Sequence, residues 1–386
     1  MPECGHHGRM QYRNTIFFGS LVVLLALSAC GGPGSTDTAS TFGTGSSSSG
    51  SGGKGGDGGS SGSSSGGGGT GGSSNVTCPA IPACNAPLPN PGTATGWNSI
   101  IPPFGDPNHR GRDMFYNPGD TQWIMAKFAY GTLDDDIKGE YVDIYLERNC
   151  GDTWEFLGTA TTTEDGEHAT VEGVEDTGGR IYYQIPPEKE LGLGWHRVHL
   201  VVKGDLSSTD MYINVVEKGA PIIVSDIDGT LTTYETEEFV ALATGSLPAM
   251  QKDASNLMNI FAAKGYNIFF MTARPEWLDA RTRAFFAQYG FPRGIVHTTL
   301  TKSGALGNEA ATYKTNELAM IAKRGLVPTY AFGNTASDAD AYFNAQVKPD
   351  DHRVFIQFDD TVHNGRRIEQ YTELLGEAEG LPTVCK

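Results

Sequence analysis

PIIVSDIDGT, residues 221–230, decides the fold of the carboxyl-terminal half of the chain. Its apolar, β-branched run predicts a buried strand, and two aspartates follow at the end of that strand before a glycine turn. Because side chains alternate along a strand, Asp226 and Asp228 are expected on one side, with Ile227 pointing away between them. Two carboxylates placed in this way can bind one hard divalent cation. One of them can act as a nucleophile while the other transfers protons.

The same D-x-D-G letters also occur in calcium-binding loops. A calcium loop of the helix–loop–helix kind needs its glycine at the sixth loop position and a helix in front of it. Here Gly229 is fourth and the preceding element is strand-like. The pattern therefore favours phosphoryl-transfer chemistry over calcium binding.

Three further segments follow in the order that such a site needs. Residues 266–271 (YNIFFM) predict a second strand that ends at Thr272, a helical stretch opens at Lys314, and residues 329–332 (TYAF) predict a third strand followed closely by Asp338. Strands that alternate with helical segments indicate an α/β fold with a doubly wound parallel sheet. The polar residues at the strand ends then meet at the carboxyl edge of that sheet.

Each of these residues acquires a role in a phosphatase. Asp226 is the candidate nucleophile that forms an aspartyl-phosphate, and Asp228 the general acid and then the base. Thr272 and Lys314 would hold phosphoryl oxygens, and Asp338 would complete a Mg²⁺ site with Asp226 and the backbone carbonyl of Asp228. Contacts to the substrate are assigned to Gly229, Thr230, Arg274 and Asn334.

Longer stretches around these residues resemble a known family. Residues 225–232 (SDIDGTLT), 271–274 (MTAR), 331–342 (AFGNTASDADAY) and 353–356 (RVFI) resemble the catalytic domain of the lipin/Ned/Smp family, in the haloacid-dehalogenase superfamily. The resemblance covers about residues 220–376. It implies a Mg²⁺-dependent phosphatase acting on phosphatidate or a related lipid phosphate monoester. A related branch, in phosphatidylinositol-transfer proteins, has lost its first aspartate and only binds lipid, whereas this chain retains both.

Two features separate the chain from lipins. Residues 291–295 (FPRGI) match the family's Leu-Pro-x-Gly-Pro segment only loosely, and basic or amphipathic docking segments are missing. The net charge of −17 opposes docking on an anionic bilayer and does not favour nucleic-acid binding. Two alternatives stay open: a phospholipid- or phosphate-binding module with little or no catalysis, and a phosphatase of non-lipid phosphomonoesters. The intact aspartate pair favours an enzyme.

The spacing of the motifs bears on access to the site. About 40 residues separate the first two motifs, and about as many separate Arg274 from Lys314. A parallel crossover requires a helix, and that helix accounts for most of the residues in each interval. No large cap domain is therefore expected. An uncapped site suits a bulky or surface-bound phosphate monoester.

The amino terminus predicts export. Arg9 and Arg13 precede an apolar stretch that is too short to span a membrane, and residues 27–30 (LSAC) form a small-residue cleavage site. This arrangement resembles a bacterial lipoprotein signal, with Cys30 as the site of lipid attachment. We therefore expect an exported, membrane-anchored protein in the outer membrane or at the cell surface.

Composition divides the rest of the chain. Residues 31–76 are nearly all Gly, Ser and Thr, which predicts a disordered tether. Alternating runs at 122–128, 141–146 and 197–202, separated by turn residues, predict an antiparallel, immunoglobulin-like β-sandwich. The expected domains are a signal peptide (1–30), the tether (31–76), the sandwich (77–218) and a haloacid-dehalogenase-like phosphatase domain (219–386).

Cysteine usage agrees with export. Without Cys4 in the removed signal and with Cys30 lipidated, four cysteines remain, an even number that predicts two disulfides in an oxidising compartment. The connectivity cannot be deduced from the sequence alone. The preferred expectation is Cys78 with Cys84 across a proline-rich loop, and Cys150 with Cys385.

Replacing the predicted lipid-attachment residue tests the export hypothesis. Cys30→Ala should leave an uncleaved or mislocalised precursor, whereas a chain beginning at Thr77 should be soluble because it lacks the signal and the tether. Cell fractionation and intact mass measure both outcomes. Cys30→Ala protein recovered from the membrane with the normal processed mass would contradict the assignment.

Overall fold

The computed structural model describes residues 77–233 and 246–385. These residues belong to one compact unit. The predicted signal, Cys30 and the whole predicted tether lie outside the described residues. In the part of the chain that is described, no helix combines the length and apolar character needed to cross a membrane.

A β-sandwich forms the first half of the described chain. Its strands are β1 (Arg110–Gly111), β2 (Met114–Tyr116), β3 (Trp123–Lys127), β4 (Ala129–Tyr130), β5 (Asp135–Asp136), β6 (Tyr141–Glu147), β7 (Glu155–Thr161), β8 (Arg180–Gln184), β9 (Gly194–Val202) and β10 (Ser208–Val215). A three-stranded sheet has the order β1-β3-β8, a five-stranded sheet has the order β2-β10-β9-β6-β7, and β4 pairs with β5. Side chains such as Ile124, Ile144 and Leu200 fill the core. The three alternating runs are strands β3, β6 and β9, as predicted.

One strand departs from the antiparallel prediction. Strand β2 pairs in parallel with β10, with Met114 opposite Ile213. The chain reaches β2 by crossing from the three-stranded sheet to the five-stranded sheet directly after Gly111. A side chain at Gly111 would collide with Met211, so the crossing requires glycine. The prediction of a wholly antiparallel sandwich was therefore wrong for β2.

An α/β domain forms the second half. Its strands are β11 (Ile222–Ser225), β12 (Asn267–Pro275), β13 (Ile295–Thr299), β14 (Pro328–Gly333), β15 (Arg353–Ile356) and β16 (Arg366–Ile368). Its helices are α1 (Ala254–Ala263), α2 (Asp279–Tyr289), α3 (Asn308–Lys323), α4 (Ala336–Asn344) and α5 (Leu375–Gly380). Short 3-10 turns lie at Arg148–Cys150, Pro187–Lys189, Glu276–Leu278, Asp350–His352 and Tyr371–Leu374. The strand order is β13-β12-β11-β14-β15-β16, and every neighbouring pair is parallel.

Helices cover both faces of this sheet. Ile223 of β11 packs in one apolar cluster with Phe261 of α1, whereas Val224 packs in another with Leu318 of α3. A strand buried on both faces reads as a continuous apolar run, which explains the sequence of β11. The predicted parallel, doubly wound arrangement is confirmed.

The helix that carries Lys314 begins earlier than expected. The prediction opened a helical stretch at Lys314, but α3 begins at Asn308, so Lys314 lies in its second turn. Gly307, with a φ of 53°, makes the turn that precedes the helix. Glu309 in the first turn favours the start, because a negative charge there complements the helix dipole.

Buried polar contacts join the sandwich to the α/β domain. Asp113, which is fully buried between β1 and β2, accepts a hydrogen bond from the Tyr212 amide (2.8 Å) on its own domain. Its other oxygen accepts from the Val296 amide (3.2 Å) and from Arg283 Nη1 (3.0 Å) of the α/β domain. A buried carboxylate without partners is costly, so these contacts favour one relative placement of the two domains.

Disulfides tie the segment before the sandwich to both domains. Cys78 is bonded to Cys385 and Cys84 to Cys150, with Cα–Cα distances of 5.5 and 4.2 Å. The expected pairing was therefore wrong. Cys78 lies beside Gly265 of the α/β domain, while the Cys84 carbonyl accepts a hydrogen bond from Arg197 of the sandwich. The segment that carries Cys78 and Cys84 contacts both domains. These two cysteines are close in sequence, but each is bonded to a different part of the chain.

Peptide mapping tests the pairing directly. A proteolytic digest of the unreduced chain should yield one linked peptide pair that contains Cys78 and Cys385, and another that contains Cys84 and Cys150. Removing a native disulfide of this kind typically costs about 2–5 kcal/mol, so reduction should also lower the free energy of unfolding. A Cys78–Cys84 peptide in the digest would contradict the structure.

Candidate active site

Asp226 follows the last residue of the central strand β11. Its backbone N–H donates to the Phe332 carbonyl of β14 at 2.9 Å, which continues the pairing of the two strands past the end of β11. Ile227 is fully buried in the apolar core, as the alternation predicted. The turn therefore sends Asp226 and Asp228 away from that core and towards the carboxyl edge of the sheet.

Lys314 lies between two of the predicted acidic residues. Its Nζ is 2.6 Å from Asp226 Oδ1 and 2.6 Å from Asp338 Oδ1, and all three side chains are buried. Burial by itself would lower the pKa of Lys314, but the two carboxylates outweigh that effect and raise its pKa. The lysine therefore stays a cation in the folded protein.

The nucleophile candidate has an unusual ionisation. Burial raises the pKa of Asp226 to about 7, since the Lys314 ammonium opposes that effect only in part and the carboxylates of Asp338 and Asp228 add to it. The Lys314 ammonium is shared between two buried carboxylates, Asp226 and Asp338, while Asp228 is paired with Arg274. A divalent cation bound here would act in the opposite direction and favour the ionised form of Asp226.

Asp338 joins the site to the amino end of helix α4. Its Oδ2 accepts hydrogen bonds from the Asn334 amide (3.2 Å), the Thr335 amide (3.1 Å) and the Thr335 hydroxyl (2.7 Å), and Thr335 forms a capping box with it. A side chain at Gly333 would collide with Asp338. The Phe-Gly-Asn stretch therefore needs glycine at this position.

Asp228 is held by two residues at the end of β12. The Thr272 hydroxyl donates to Asp228 Oδ2 at 2.7 Å, and Arg274 donates through Nε to Oδ1 at 2.8 Å. Arg274 is buried, and its Nη1 also donates to the Thr282 hydroxyl at 3.2 Å. Arg274 thus anchors Asp228 in this structure, and its predicted contact with the substrate stays a prediction.

The other predicted substrate contacts surround Asp226. The Thr230 hydroxyl lies 3.0 Å from Asp226 Oδ2 and 2.9 Å from Asn334 Oδ1. Gly229 has a φ of 68°, as its tight turn requires, and its amide donates to the Thr232 hydroxyl at 2.9 Å. Thr230 and Asn334 therefore contact the nucleophile and its surroundings, and a phosphate contact through the Gly229 amide stays a prediction.

The structure brings the predicted residues together. One set of contacts links Asp226, Lys314, Asp338, Asn334 and Thr230, and a second links Asp228, Thr272 and Arg274. These residues come from four separate segments of the chain. Cys30 lies outside the described residues.

Sequence reasoning missed the residues that brace this site. Glu317, one turn after Lys314 on α3, accepts from Arg112 of the sandwich at 2.7 Å and contacts His297 at 2.5 Å. Although burial alone would raise the pKa of Glu317, Arg112 and His297 hold it at about 2. Glu317 lies three residues after Lys314, and residues at this spacing are neighbours on a helix, so the sequence could have indicated that Glu317 lies near the site. No sequence signal pointed to Arg112, because it lies about 200 residues before Glu317 in the chain.

The oxygen ligands present here fit a magnesium ion. Within residues 77–233 and 246–385, no group of three or more Asp, Glu, His or Cys side chains is arranged to hold a metal. Mg²⁺ does not need such a group, because it usually binds one or two carboxylates and keeps several waters. Asp226 Oδ1 and Asp338 Oδ1 each accept a hydrogen bond from Lys314, and each of these oxygens has a second lone pair. Those two carboxylates therefore fit a hard cation, and the Asp228 carbonyl stays a predicted third ligand.

Both domains are similar to known protein families. Residues 223–357 match the family model of the LNS2 domain of PITM 1-3, and residues 107–171 and 168–215 match the model of the PITM 1-3 β-sandwich domain. The LNS2 domain is of the haloacid-dehalogenase-like, lipin/Smp2 type. The described chain thus has a β-sandwich domain that is similar to the one in PITM 1-3, followed by a domain that is similar to LNS2.

The similar proteins are much longer. Protein retinal degeneration B of Drosophila melanogaster is 30% identical over 253 residues, which cover 64% of this chain and 18% of that protein. Membrane-associated phosphatidylinositol transfer protein 1 of Homo sapiens is 30% identical over 191 residues, covering 49% of this chain and 14% of that protein. The chain spans less than a fifth of the length of these relatives.

Among solved structures, a phosphoserine phosphatase from T. onnurineus aligns with 42% of this chain and 96% of its own. The TM-score is 0.30 and the sequence identity is 14%, values too low to carry an argument.

Removal of the central ammonium should destabilise the fold. Lys314→Met leaves Asp226 and Asp338 as buried carboxylates without their shared cation, which should lower the free energy of unfolding by about 3–5 kcal/mol in urea titrations with EDTA. Adding Asp226→Asn to Lys314→Met should recover part of the loss, because one of the two charges is gone. A Lys314→Met variant within about 0.5 kcal/mol of the wild type would contradict the proposed charge balance.

Proposed function

We propose that the LNS2 domain of this chain is a Mg²⁺-dependent phosphatase that hydrolyses phosphatidate or a related lipid phosphate monoester through an aspartyl-phosphate on Asp226. The observation that carries the proposal is the assembly of Asp226, Asp228, Lys314 and Asp338 at one sheet edge. Carboxylates repel phosphate, so a site that only binds phosphate gains nothing from the pair Asp226 and Asp228. A site that attacks phosphorus and moves protons needs both.

The proposed reaction has two steps. An oxygen of Asp226 attacks phosphorus, the ester P–O bond breaks, and the departing alcohol oxygen takes a proton from Asp228. A water then gives a proton to Asp228 and attacks the phosphorus of the aspartyl-phosphate, which releases inorganic phosphate and restores Asp226. Asp226 is buried, whereas Asp228 is partly exposed. Partial exposure suits the role of Asp228, because this residue would exchange protons with the leaving group and with water.

The remaining residues stabilise charge. The Lys314 ammonium already contacts Asp226, so it would also lie close to the oxygens of a phosphoryl group bound there. The Thr272 hydroxyl would hold a second phosphoryl oxygen. Mg²⁺, held by the carboxylates of Asp226 and Asp338 and the Asp228 carbonyl, would neutralise phosphoryl charge when bound.

The lipid substrate class rests on two kinds of support. The motif residues resemble those of phosphatidate phosphatases, and the relatives are named as phosphatidylinositol transfer proteins. Both associate this fold with phospholipids. The charge of the site fits a phosphate monoester, since Lys314 and a divalent cation would face its anionic oxygens.

A second candidate function is phospholipid binding without turnover. It is favoured by the pairing of each catalytic carboxylate with a cationic side chain, Asp226 with Lys314 and Asp228 with Arg274. The names of the relatives describe lipid transfer and not hydrolysis. In this case the buried aspartates would serve stability and lipid contact.

We also propose that the chain is an exported lipoprotein anchored through Cys30. The bonds Cys78–Cys385 and Cys84–Cys150 support this, because structural disulfides persist in oxidising compartments.

Phosphate release separates the candidates. The wild-type chain should release phosphate from phosphatidate in detergent micelles with Mg²⁺ and not with EDTA. Asp226→Asn should reduce the rate by about 10³-fold or more, about 4 kcal/mol in the barrier, and should keep phosphatidate binding because Lys314 remains. Asp152→Asn, an exposed aspartate in the sandwich, is the matched control and should leave the rate unchanged.

Other results of the same assay would support one of the alternative functions. A wild-type chain that binds phosphatidate and releases no phosphate would overturn hydrolysis and support the binding module. Release from a panel of sugar phosphates, nucleotides or phosphopeptides, but not from phosphatidate, would move the substrate to a non-lipid phosphomonoester.

A further inference from the structure

Five large apolar side chains protrude on three loops of the described chain. They are Ile100, Ile101 and Phe104 on the first loop of the sandwich, Leu133 on the turn between β4 and β5, and Leu306 on the loop between β13 and α3, with exposures of 98%, 79%, 92%, 77% and 85%. We call these five residues the apolar rim. Single exposed apolar side chains are ordinary, but a connected group this exposed marks an interaction site.

Backbone contacts hold the two sandwich loops together. The Gly131 amide donates to the Asp106 carbonyl at 2.8 Å. A side chain added at Gly131 would lie 2.8 Å from the Phe104 carbonyl, so the loops that carry Phe104 and Leu133 are in direct contact. Phe104 and Leu133 therefore lie on loops in direct contact, and Ile100 and Ile101 precede Phe104 on its loop by four and three residues.

A lysine joins the third loop to this pair. Lys302 Nζ donates to the Asp134 carbonyl at 3.0 Å, and the Lys302 carbonyl accepts from Trp277 Nε1 at 2.9 Å. Asp134 is the residue after Leu133, and Lys302 is on the same loop as Leu306. The rim therefore continues from the sandwich onto the α/β domain.

The rim borders the edge of the sheet that carries the candidate active site. The loop with Leu306 leaves the carboxyl end of β13 and leads into α3, which carries Lys314. Its Ala305 amide donates to the Ala273 carbonyl at 2.9 Å, between Thr272 and Arg274. One loop thus contacts the rim, the end of β12 and the helix of the catalytic lysine.

We propose that the apolar rim inserts into the interface of a phospholipid bilayer and places the carboxyl edge of the sheet against the lipid headgroups. This rests on the proposed function, since it supplies the route by which a membrane-embedded phosphatidate reaches Asp226. The rim consists of protruding loop tips rather than a groove, which suits insertion between lipids. Pro102 and Pro103 restrict the first loop, so little conformational freedom is lost when it is buried.

Insertion of the apolar rim differs from electrostatic docking in its dependence on the charge of the chain and of the lipids. The chain has a net charge of −17, the exposed carboxylate of Asp106 lies on the first rim loop, and that of Asp135 lies two residues after Leu133 at the start of β5. Attraction to anionic lipids would therefore be weak. Insertion of apolar side chains does not need anionic lipid, so binding should be similar on phosphatidylcholine vesicles with and without phosphatidylserine.

Hydrogen–deuterium exchange of the full chain tests the contact surface. Phosphatidylcholine vesicles should slow early exchange in peptides that cover residues 98–106, 131–135 and 300–307. A peptide around Val327 is the control, because Val327 is 51% exposed but precedes β14 at the opposite edge of the sheet. Each peptide reports its own segment, so attachment through residues 1–76 does not hide the result. Unchanged exchange in all three rim peptides would overturn the proposal.

A triple variant tests the energetic contribution of the rim. In chains that begin at Thr77 and so lack the proposed lipid anchor, Ile100→Ser, Ile101→Ser and Phe104→Ser together should weaken vesicle binding about tenfold or more, since three large side chains no longer leave water. Val327→Ser is the matched control and should bind like the wild type. The triple variant should hydrolyse vesicle-embedded phosphatidate about tenfold more slowly and a short-chain, water-soluble phosphatidate at the wild-type rate.

The readouts distinguish the two proposals. Loss of vesicle binding in a chain that hydrolyses neither substrate would support the rim and contradict the phosphatase. Equal vesicle binding and equal vesicle turnover for the triple variant and the wild type would overturn the rim while leaving the phosphatase intact.

Discussion

The buried ammonium of Lys314 is the interaction on which the α/β domain depends. It joins the carboxylate that follows β11 to a carboxylate on the first turn of α4, and it does so from the second turn of α3. Any of these charges left alone in the interior would cost several kcal/mol. The strands and helices must therefore meet in one arrangement, and that arrangement is also the one that places Asp226 beside Asp228. Stability and the candidate chemistry thus share one set of residues.

The β-sandwich takes part in this arrangement. Arg112 reaches Glu317 on the helix of Lys314, and Arg110 and Arg180 both contact Glu276 directly after β12, at 3.3 and 2.7 Å. The strand that supplies Thr272 and the helix that supplies Lys314 are therefore both held from outside their own domain. The rim loops extend the same contact to the surface. The sandwich therefore helps to hold in place the sheet edge that carries the candidate active site.

Much of the site was predictable because its signals are local. An apolar strand followed at once by Asp226 and Asp228 indicates both the strand and its chemistry, and Thr272 directly follows the apolar run of β12, although the strand itself continues to Pro275. The contacts that could not be predicted join distant segments. Arg112 meets Glu317 across about 200 residues, and Cys78 meets Cys385 across 307. No pattern within a short window records such pairs, since they depend on how two folded domains pack together.

The most direct test of the account is to trap the covalent intermediate. The wild-type chain, mixed with phosphatidate and Mg²⁺ and quenched with borohydride, should contain homoserine at position 226 in the peptide map, because borohydride reduces an acyl-phosphate to the alcohol. The modification should be missing without phosphatidate and in a chain treated with EDTA. Phosphate release with an unmodified Asp226, or reduction at another carboxylate, would contradict the assignment of the nucleophile.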